Sequence, residues 1–436
     1  MLNQLFDLKN FRKIFDIENR KGLYIEKKFF PDLYELSKEL KINKQEIKKV
    51  KSFRNLDIRA KNEKLSEIKE QQNSLKIKKE GVLTRKIEEI VEVNEKRNWQ
   101  ILLEKSIIVK DKQTYKISSA PEYYFLMKQL QYNVYNTYRI KTANRQLITT
   151  QLKNIIKDDC PKAVIVIDIK SFYESIDTNR LLLKINDDNL LSSVSKRIIS
   201  SLLKQYMKIS GTSCGVPRGV GISSFLAEIY MKDFDSKIRQ NAQIFYYARY
   251  VDDMVIITTQ QICREIKDLI EENLQNINLE LNEEKTKIYT TENFDFLGYK
   301  FSLTNKTITL SDKRLNKYET KIMLALNAYK RKFKTNRAKA SRLLINRIKY
   351  LTGNTKLKNN KSSILTGCYF SNILLENDRD LKKLDSYLLQ QIKNIGNGKL
   401  VEKLSKYSFT DGFNLKKYYN FSLQELIEIT KIWKEL

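Results

Sequence analysis

Asp252 and Asp253 stand side by side in Arg-Tyr-Val-Asp-Asp-Met-Val-Ile-Ile, in the middle of an otherwise apolar run. A short β-branched run of this kind reads as a buried strand. Two ionised carboxylates placed in such a strand cost several kcal/mol each unless cations or donors compensate them, and a bound divalent metal is the simplest compensation. Adjacent strand residues point to opposite faces, so a tight turn at the pair is the economical way to bring both carboxylates towards one centre. The plainer account is a polar hairpin turn that happens to be acidic. Asp168 repeats the oddity at the end of Ala-Val-Ile-Val-Ile-Asp, a second apolar run bounded by Pro161 and a polar turn. By itself Asp168 suits a helix cap or half of an ion pair as well as it suits a metal. Together the two sites supply oxygen ligands on neighbouring strands, the donor set that magnesium prefers.

The residue types that are missing narrow the chemistry. The chain has no histidine, which removes Ser-His-Asp and Cys-His catalysis, His-ligated metals and imidazole bases. Its four cysteines, Cys160, Cys214, Cys263 and Cys368, are scattered without a CxxC pair and read as buried small residues, neither a disulfide framework nor a zinc site. Carboxylates, lysine, tyrosine and a carboxylate-bound hard metal remain. Two-metal phosphoryl transfer then leads, one ion activating an attacking hydroxyl while the other neutralises departing pyrophosphate.

Charge points to the partner. The net charge is +29 over 436 residues, the footprint of a chain that lies along a polyanion. An AT-rich genome also yields Lys and Asn, but it would spread the excess evenly. Here sixteen Lys or Arg and one acid, Glu319, fall between Lys313 and Lys361. That stretch reads as several short helices, which fits nucleic acid better than an anionic membrane. No stretch approaches the roughly 20 apolar residues of a membrane span, and the first residues lack a signal core. A soluble, cytoplasmic protein is expected.

At this length one core is too few, since single cores stop growing near roughly 250 to 300 residues, so two or three packed subdomains are expected. Residues 1–84 carry helical periodicity, with Pro31 near a helix start, and residues 85–160 continue mostly helical. Strands concentrate between about 161 and 310, including a hairpin around Thr304-Asn305-Lys306, and helix returns from 311. Between the acidic sites lies Cys-Gly-Val-Pro-Arg-Gly-Val-Gly-Ile-Ser-Ser from Cys214. Its glycines permit close backbone approach, and Ser223 or Ser224 suits the cap of a helix whose apolar face holds Leu226, Ile229, Tyr230, Phe234 and Ile238. Alone, such a loop reads better as an ordinary turn.

The succession of Asp168, the loop with Pro217-Arg218-Gly219, Tyr250-Val251-Asp252-Asp253, Lys285 in Leu-Asn-Glu-Glu-Lys and Phe296-Leu297-Gly298-Tyr299 resembles the palm motifs of reverse transcriptases. The likeness covers about residues 120–310 well and the rest loosely. Within that family SFYESI, GVPRGVGISSFLAEIY and the downstream LTGNTKLKNNK with GCYFSN resemble the bacterial defence-associated class, called unknown-group or abortive-infection reverse transcriptases.

The resemblance implies an α+β right-hand polymerase fold with fingers over 85–160, an antiparallel-sheet palm over 161–310 and a basic helical thumb with C-terminal helices over 311–436, after a helical N-terminal region. It makes Asp168 and Asp252 the principal ligands of two Mg2+ ions, or Mn2+ in their place, with Asp253 assisting. Tyr173 matches the steric gate against a ribose 2′-hydroxyl, and Lys285 the lysine that protonates pyrophosphate. Phe296, Leu297, Gly298 and Tyr299 match the primer grip. Arg218 and Gly219 are expected at the nucleotide, and Arg139, Lys141 and Arg145 at its triphosphate. The implied function is cDNA synthesis from dNTPs on RNA, or with little templating, in antiphage defence, with a noncoding RNA as template or scaffold. A homo-oligomer or a partner defence protein fits the class; a membrane does not.

This chain departs from the family at Arg218, where many members have glutamine. Retron enzymes carry Asn-Ala-x-x-His, which a chain without histidine lacks, and the HNH nuclease of many group II intron enzymes needs histidine too. An intron- or retron-type enzyme of a mobile element, and a catalytically silent RNA-binding protein on the same fold, are the alternatives.

Overall fold

A computed structural model of the chain describes residues 3–20, 25–52, 58–109, 111–358 and 363–433. The chain divides into two compact units, one built from 1–141 and 173–230, the other from 142–172 and 231–436. The linear stretches 85–160 and 161–310 are each shared between them.

The first unit is mostly helical. Helices Leu8–Arg20, Ile25–Phe29, Pro31–Ser52 and Ile58–Lys96 fill the N-terminal region as its periodicity predicts, and Pro31 stands at a helix start, where its fixed φ and missing N–H cost nothing. Their apolar faces meet the helix Pro121–Thr137 around Phe11, Leu83, Ile87, Phe125, Leu126 and Leu130, all 2% exposed or less. Helices Thr178–Asp187 and Ser193–Ser210 belong here too. The expectation that 85–160 is mostly helical misses one element, an antiparallel hairpin of β1 (Leu103–Val109) and β2 (Lys112–Ile117). Its register shifts between Lys105 and Ile108, and Ile107 and Ile108 stay exposed. Without a continuous apolar face, these strands lack the alternation that marks a half-buried strand.

The second unit holds the expected strands. Its main sheet has the order β4 (Tyr246–Tyr250), β5 (Asp253–Thr258), β3 (Ala163–Asp168), β6 (Lys287–Tyr289), antiparallel throughout. Ala163, Val164, Ile165 and Ile167 of β3 and Met254 to Ile257 of β5 are buried, which is why their sequences run apolar instead of alternating. A three-stranded sheet follows, β7 (Asn293–Phe296), β8 (Tyr299–Ser302) and β9 (Ile308–Leu310), with residues 303–305 forming the predicted turn between β8 and β9. The helix Ser223–Gln240 starts in the first unit and ends in this one, and the five apolar residues expected on its inner face are buried.

Beyond residue 311 the chain is helical, as expected, except for a second missed hairpin, β10 (Asn354–Lys358) with β11 (Ser363–Gly367). Of the segment LTGNTKLKNNK, Asn359, Asn360 and Lys361 lie outside the described residues. The cysteine expectation needs correction as well. Cys263 and Cys368 are buried, but Cys160 is exposed and Cys214 half-buried. Among the described residues, no helix is long and apolar enough to cross a membrane.

Candidate active site

Asp168 ends β3 directly opposite Asp253, the first residue of β5. Facing residues of an antiparallel pair lie about 4.5–5.5 Å apart and share a sheet face, so the two carboxylates flank one space. Asp252 sits in the two-residue turn between β4 and β5, and its carbonyl accepts from the Ile169 N–H at 3.2 Å. The tight turn expected at the acidic pair is therefore present, with Tyr250 pairing Asp253 across it. Val251 takes a φ of +63° there, a left-handed conformation that a β-branched side chain resists.

Sequence reasoning missed what holds that turn. Arg249 is buried, and its Nε and Nη2 donate to the two oxygens of Asp235 at 2.9 and 2.7 Å, while Nη1 donates to the Val251 carbonyl at 3.0 Å. The Tyr247 hydroxyl donates to the same Asp235 at 2.6 Å. The fork is thus a strut from the helix Ser223–Gln240 to the strained residue of the turn. The one available signal was an arginine next to an apolar strand, which needs a carboxylate partner if it is buried.

Asp168 is held from the other side. Asn282 donates to it twice, through Nδ2 to Oδ2 at 3.0 Å and through its backbone N–H to the Asp168 carbonyl at 2.8 Å. Lys285 lies in the following turn, and its Nζ sits 3.2 and 3.1 Å from the two Asp168 oxygens. Asp253 has no such relief. Burial, followed by the charges of Asp252 and Asp168, raises its carboxyl to about 6, against smaller opposing effects of Lys285 and Lys313.

Among the described residues, no three His, Cys, Asp or Glu are gathered as a ready-made metal cluster. The donors nonetheless suit a hard divalent cation. They are carboxylate oxygens, they carry more negative charge than nearby lysines cancel, and an ammonium already stands against Asp168.

Phe296, Leu297, Gly298 and Tyr299 form the β7–β8 hairpin tip, with Leu297 and Gly298 at φ +47° and +79°. Arg145, expected at the triphosphate, lies at this tip. Its Nε donates to the Leu297 carbonyl at 3.0 Å, a second bond from Nη2 reaches the same oxygen, and its guanidinium lies 5.4 Å from the Tyr299 ring. Arg314 covers the same ring at 4.9 Å. Arg145 is thereby committed to the hairpin. Arg139 and Lys141 are exposed and belong to the first unit.

Tyr173, Arg218 and Gly219 also belong to that unit. The Val216 N–H donates to the Tyr173 carbonyl at 2.8 Å, and the Gly215 N–H to that of Ile176 at 2.7 Å. The glycines are used as expected: Gly219 has a φ of +95°, and a Cβ there would lie 2.8 Å from the Tyr115 carbonyl. Ser223 does not cap the helix N–H groups. Its hydroxyl donates to the Pro217 carbonyl at 2.7 Å, closing the loop on itself.

Of the basic residues after 312, several face inward. Arg347 is buried against the carbonyls of Glu428 and Ile429, and Arg314 donates to the Ser371 carbonyl. Lys313, Lys317, Lys330, Arg331, Lys334, Arg337, Arg342 and Lys356 remain exposed.

Comparison with known proteins agrees with the geometry over part of the chain. Residues 107–301 match the family described as reverse transcriptase (RNA-dependent DNA polymerase). Curated proteins yield no match. Among solved structures, telomerase from Candida albicans in complex with a TWJ fragment of telomeric RNA is similar at 14% identity and a TM-score of 0.35, over 77% of this chain and 62% of that one. Apo telomerase from Candida tropicalis is similar at 12% identity and a TM-score of 0.38, over 77% and 61%. The chain thus spans less than two thirds of those telomerase chains. The family match and the antiparallel sheet with its acidic pair support the same conclusion: the fold is the right-hand polymerase fold, and residues 107–301 are a reverse transcriptase domain.

Proposed function

We propose that the chain synthesises DNA from deoxynucleoside triphosphates on an RNA template, or with little templating, and that it serves antiphage defence with a noncoding RNA. The observation that carries the polymerase reading is the cross-strand pairing of Asp168 with Asp253, with Asp252 in the adjoining turn. Asp168, Asp252 and Asp253 would hold magnesium. When bound, magnesium activates a primer hydroxyl and neutralises the triphosphate.

The chain's own residues do the rest. The Asp235–Arg249 fork and Asn282 hold the carboxylates in place before substrate arrives. Lys285 stands within reach of Asp168 and supplies a proton to the leaving pyrophosphate. Tyr173 excludes a 2′-hydroxyl, Arg218 and Gly219 border the nucleotide, and Arg139 and Lys141 attract its triphosphate. The β7–β8 tip, Phe296 to Tyr299, grips the primer, braced by Arg145. The exposed lysines and arginines of Lys313–Lys356 follow the nucleic-acid backbone. The defence role rests on the resemblance of SFYESI and GVPRGVGISSFLAEIY to that class.

The test is to purify the protein with whatever RNA it carries, supply dNTPs and magnesium, and sequence both RNA and product. DNA complementary to the bound RNA, or an untemplated DNA product, is expected. Absence of any DNA product contradicts the reading and favours an RNA-binding protein without catalysis.

A further inference from the structure

Arg218 departs from the family's glutamine, and its surroundings explain what the larger, charged side chain does. Its Nε donates to Glu174 Oε1 at 2.9 Å and its Nη2 to Oε2 at 3.1 Å, a fork that fixes the guanidinium plane. That plane lies over the ring of Tyr173, 5.0 Å from its centroid. Lys112 of β2 reaches the same carboxylate at 3.3 Å. Burial works to raise the Glu174 carboxyl, but the hydrogen bonds and charge of Arg218, backed by Lys112, hold it below its ordinary value. Glu174 is therefore an ionised anchor between two cations.

The backbone on both sides is equally tied. The Arg218 carbonyl accepts from the Tyr115 N–H at 2.7 Å, and Val216 donates to the Tyr173 carbonyl. Gly215 leaves no room for a Cβ, which would meet the Glu174 carbonyl at 2.9 Å. The guanidinium cannot drift without breaking its fork with Glu174, and the backbone at Tyr173 cannot shift without breaking its bond to Val216; the ring itself is met by the guanidinium face. A neutral glutamine at 218 could neither form the two-point guanidinium fork with Glu174 nor offer a cation to the ring.

We propose that the Glu174–Arg218 fork is a brace for Tyr173, and that this enzyme's choice between deoxyribonucleotides and ribonucleotides depends on it. Arg218 and Glu174 are thus positioning residues that act through Tyr173. The inference rests on the reading of Tyr173 as the sugar gate. A gate excludes a hydroxyl only as far as its ring is fixed, because a mobile ring yields the space it would otherwise fill. Discrimination is a difference between two substrates, so loosening the ring lets ribonucleotides in more than it harms deoxyribonucleotides.

The experiment compares kcat/KM for a dNTP and the matching rNTP in wild type, Glu174→Gln, Tyr173→Ala and the double variant. Glu174→Gln is expected to lower the dNTP-to-rNTP ratio about tenfold, the scale of a lost cation–π contact. Tyr173→Ala should lower it further, and adding Glu174→Gln to Tyr173→Ala should change nothing more. The melting temperature of each variant checks folding, and Glu174→Asp, which withdraws the carboxylate by one methylene, replaces Glu174→Gln if that variant does not fold. The brace is overturned if Tyr173→Ala relaxes selection while the Glu174 variant does not, or if the Glu174 effect persists without the ring. If Tyr173→Ala leaves sugar selection as it was, the gate reading itself fails and the brace with it.

Discussion

The Lys285 ammonium bridges both oxygens of the Asp168 carboxylate, at 3.2 and 3.1 Å. Asp168 is largely buried whereas Lys285 is 61% exposed, so the lysine can leave and the carboxylate cannot. At the proposed metal site Lys285 would hold the place of a cation and compete with one. Lys285→Met should tighten Mg2+ or Mn2+ binding several-fold, measured by titration, while slowing nucleotide incorporation about 10²-fold or more, the scale of a lost general acid. Because the pair is so exposed on one side, its loss should cost no more than about 1 kcal/mol of stability. Weaker metal binding in Lys285→Met contradicts the placeholder role.

Asp253 gives the metal-free protein a pH dependence of definite sign. Its carboxyl is raised from 3.8 to about 6 in the folded chain, so the folded state holds that proton more tightly than the unfolded one. Its contribution to stability is complete below about pH 4 and is lost as pH rises through about 6. In EDTA, melting temperature should therefore fall across that window more steeply for wild type than for Asp253→Asn. Saturating Mg2+, which favours the ionised carboxylate, should remove the difference. Superimposable profiles in EDTA contradict it.

The Asp235–Arg249 strut makes two opposite predictions. Breaking a buried ion pair by removing one partner typically costs about 3–5 kcal/mol, so Asp235→Asn should unfold at much lower denaturant and lose incorporation as Val251 and Asp252 shift. Val251→Gly instead relieves a left-handed β-branched residue and should be neutral or stabilise by up to about 1 kcal/mol. Denaturant titrations of both variants check this. A strongly destabilised Val251→Gly contradicts the strain assigned to the turn.

Much of this was legible beforehand, for a physical reason. Strands β3 and β5 are buried on both faces, so their sequences are uninterrupted apolar runs against which Asp168 and the Asp252-Asp253 pair stand out. Hairpins β1–β2 and β10–β11 have partly exposed, charge-bearing strands and offered no such contrast. The supports were invisible for another reason. Asn282 joins Asp168 across 114 residues, and Arg145 joins Leu297 across 152; nothing in either local sequence announces its partner. The basic stretch was legible as charge but not as direction, since helix packing turns Arg314 and Arg347 inward.

The outward charges of that stretch predict how RNA binding responds to salt. Each phosphate contact on a single strand contributes a slope of about −0.7 to log K against log salt. Replacing exposed Lys330, Arg331 and Lys334 together by Gln should flatten the slope by about 2 without shifting the melting temperature. Binding measured from low to high salt tests this. An unchanged slope removes these residues from the nucleic-acid path.

Asp168, Asp252 and Asp253 are proposed to form one catalytic centre for joining nucleotides. Its most direct test is single-nucleotide primer extension on RNA in magnesium by wild type and Asp252→Asn. Incorporation by wild type and its near-complete loss in Asp252→Asn, with RNA binding retained, is the expected result. Incorporation by Asp252→Asn at the wild-type rate contradicts it.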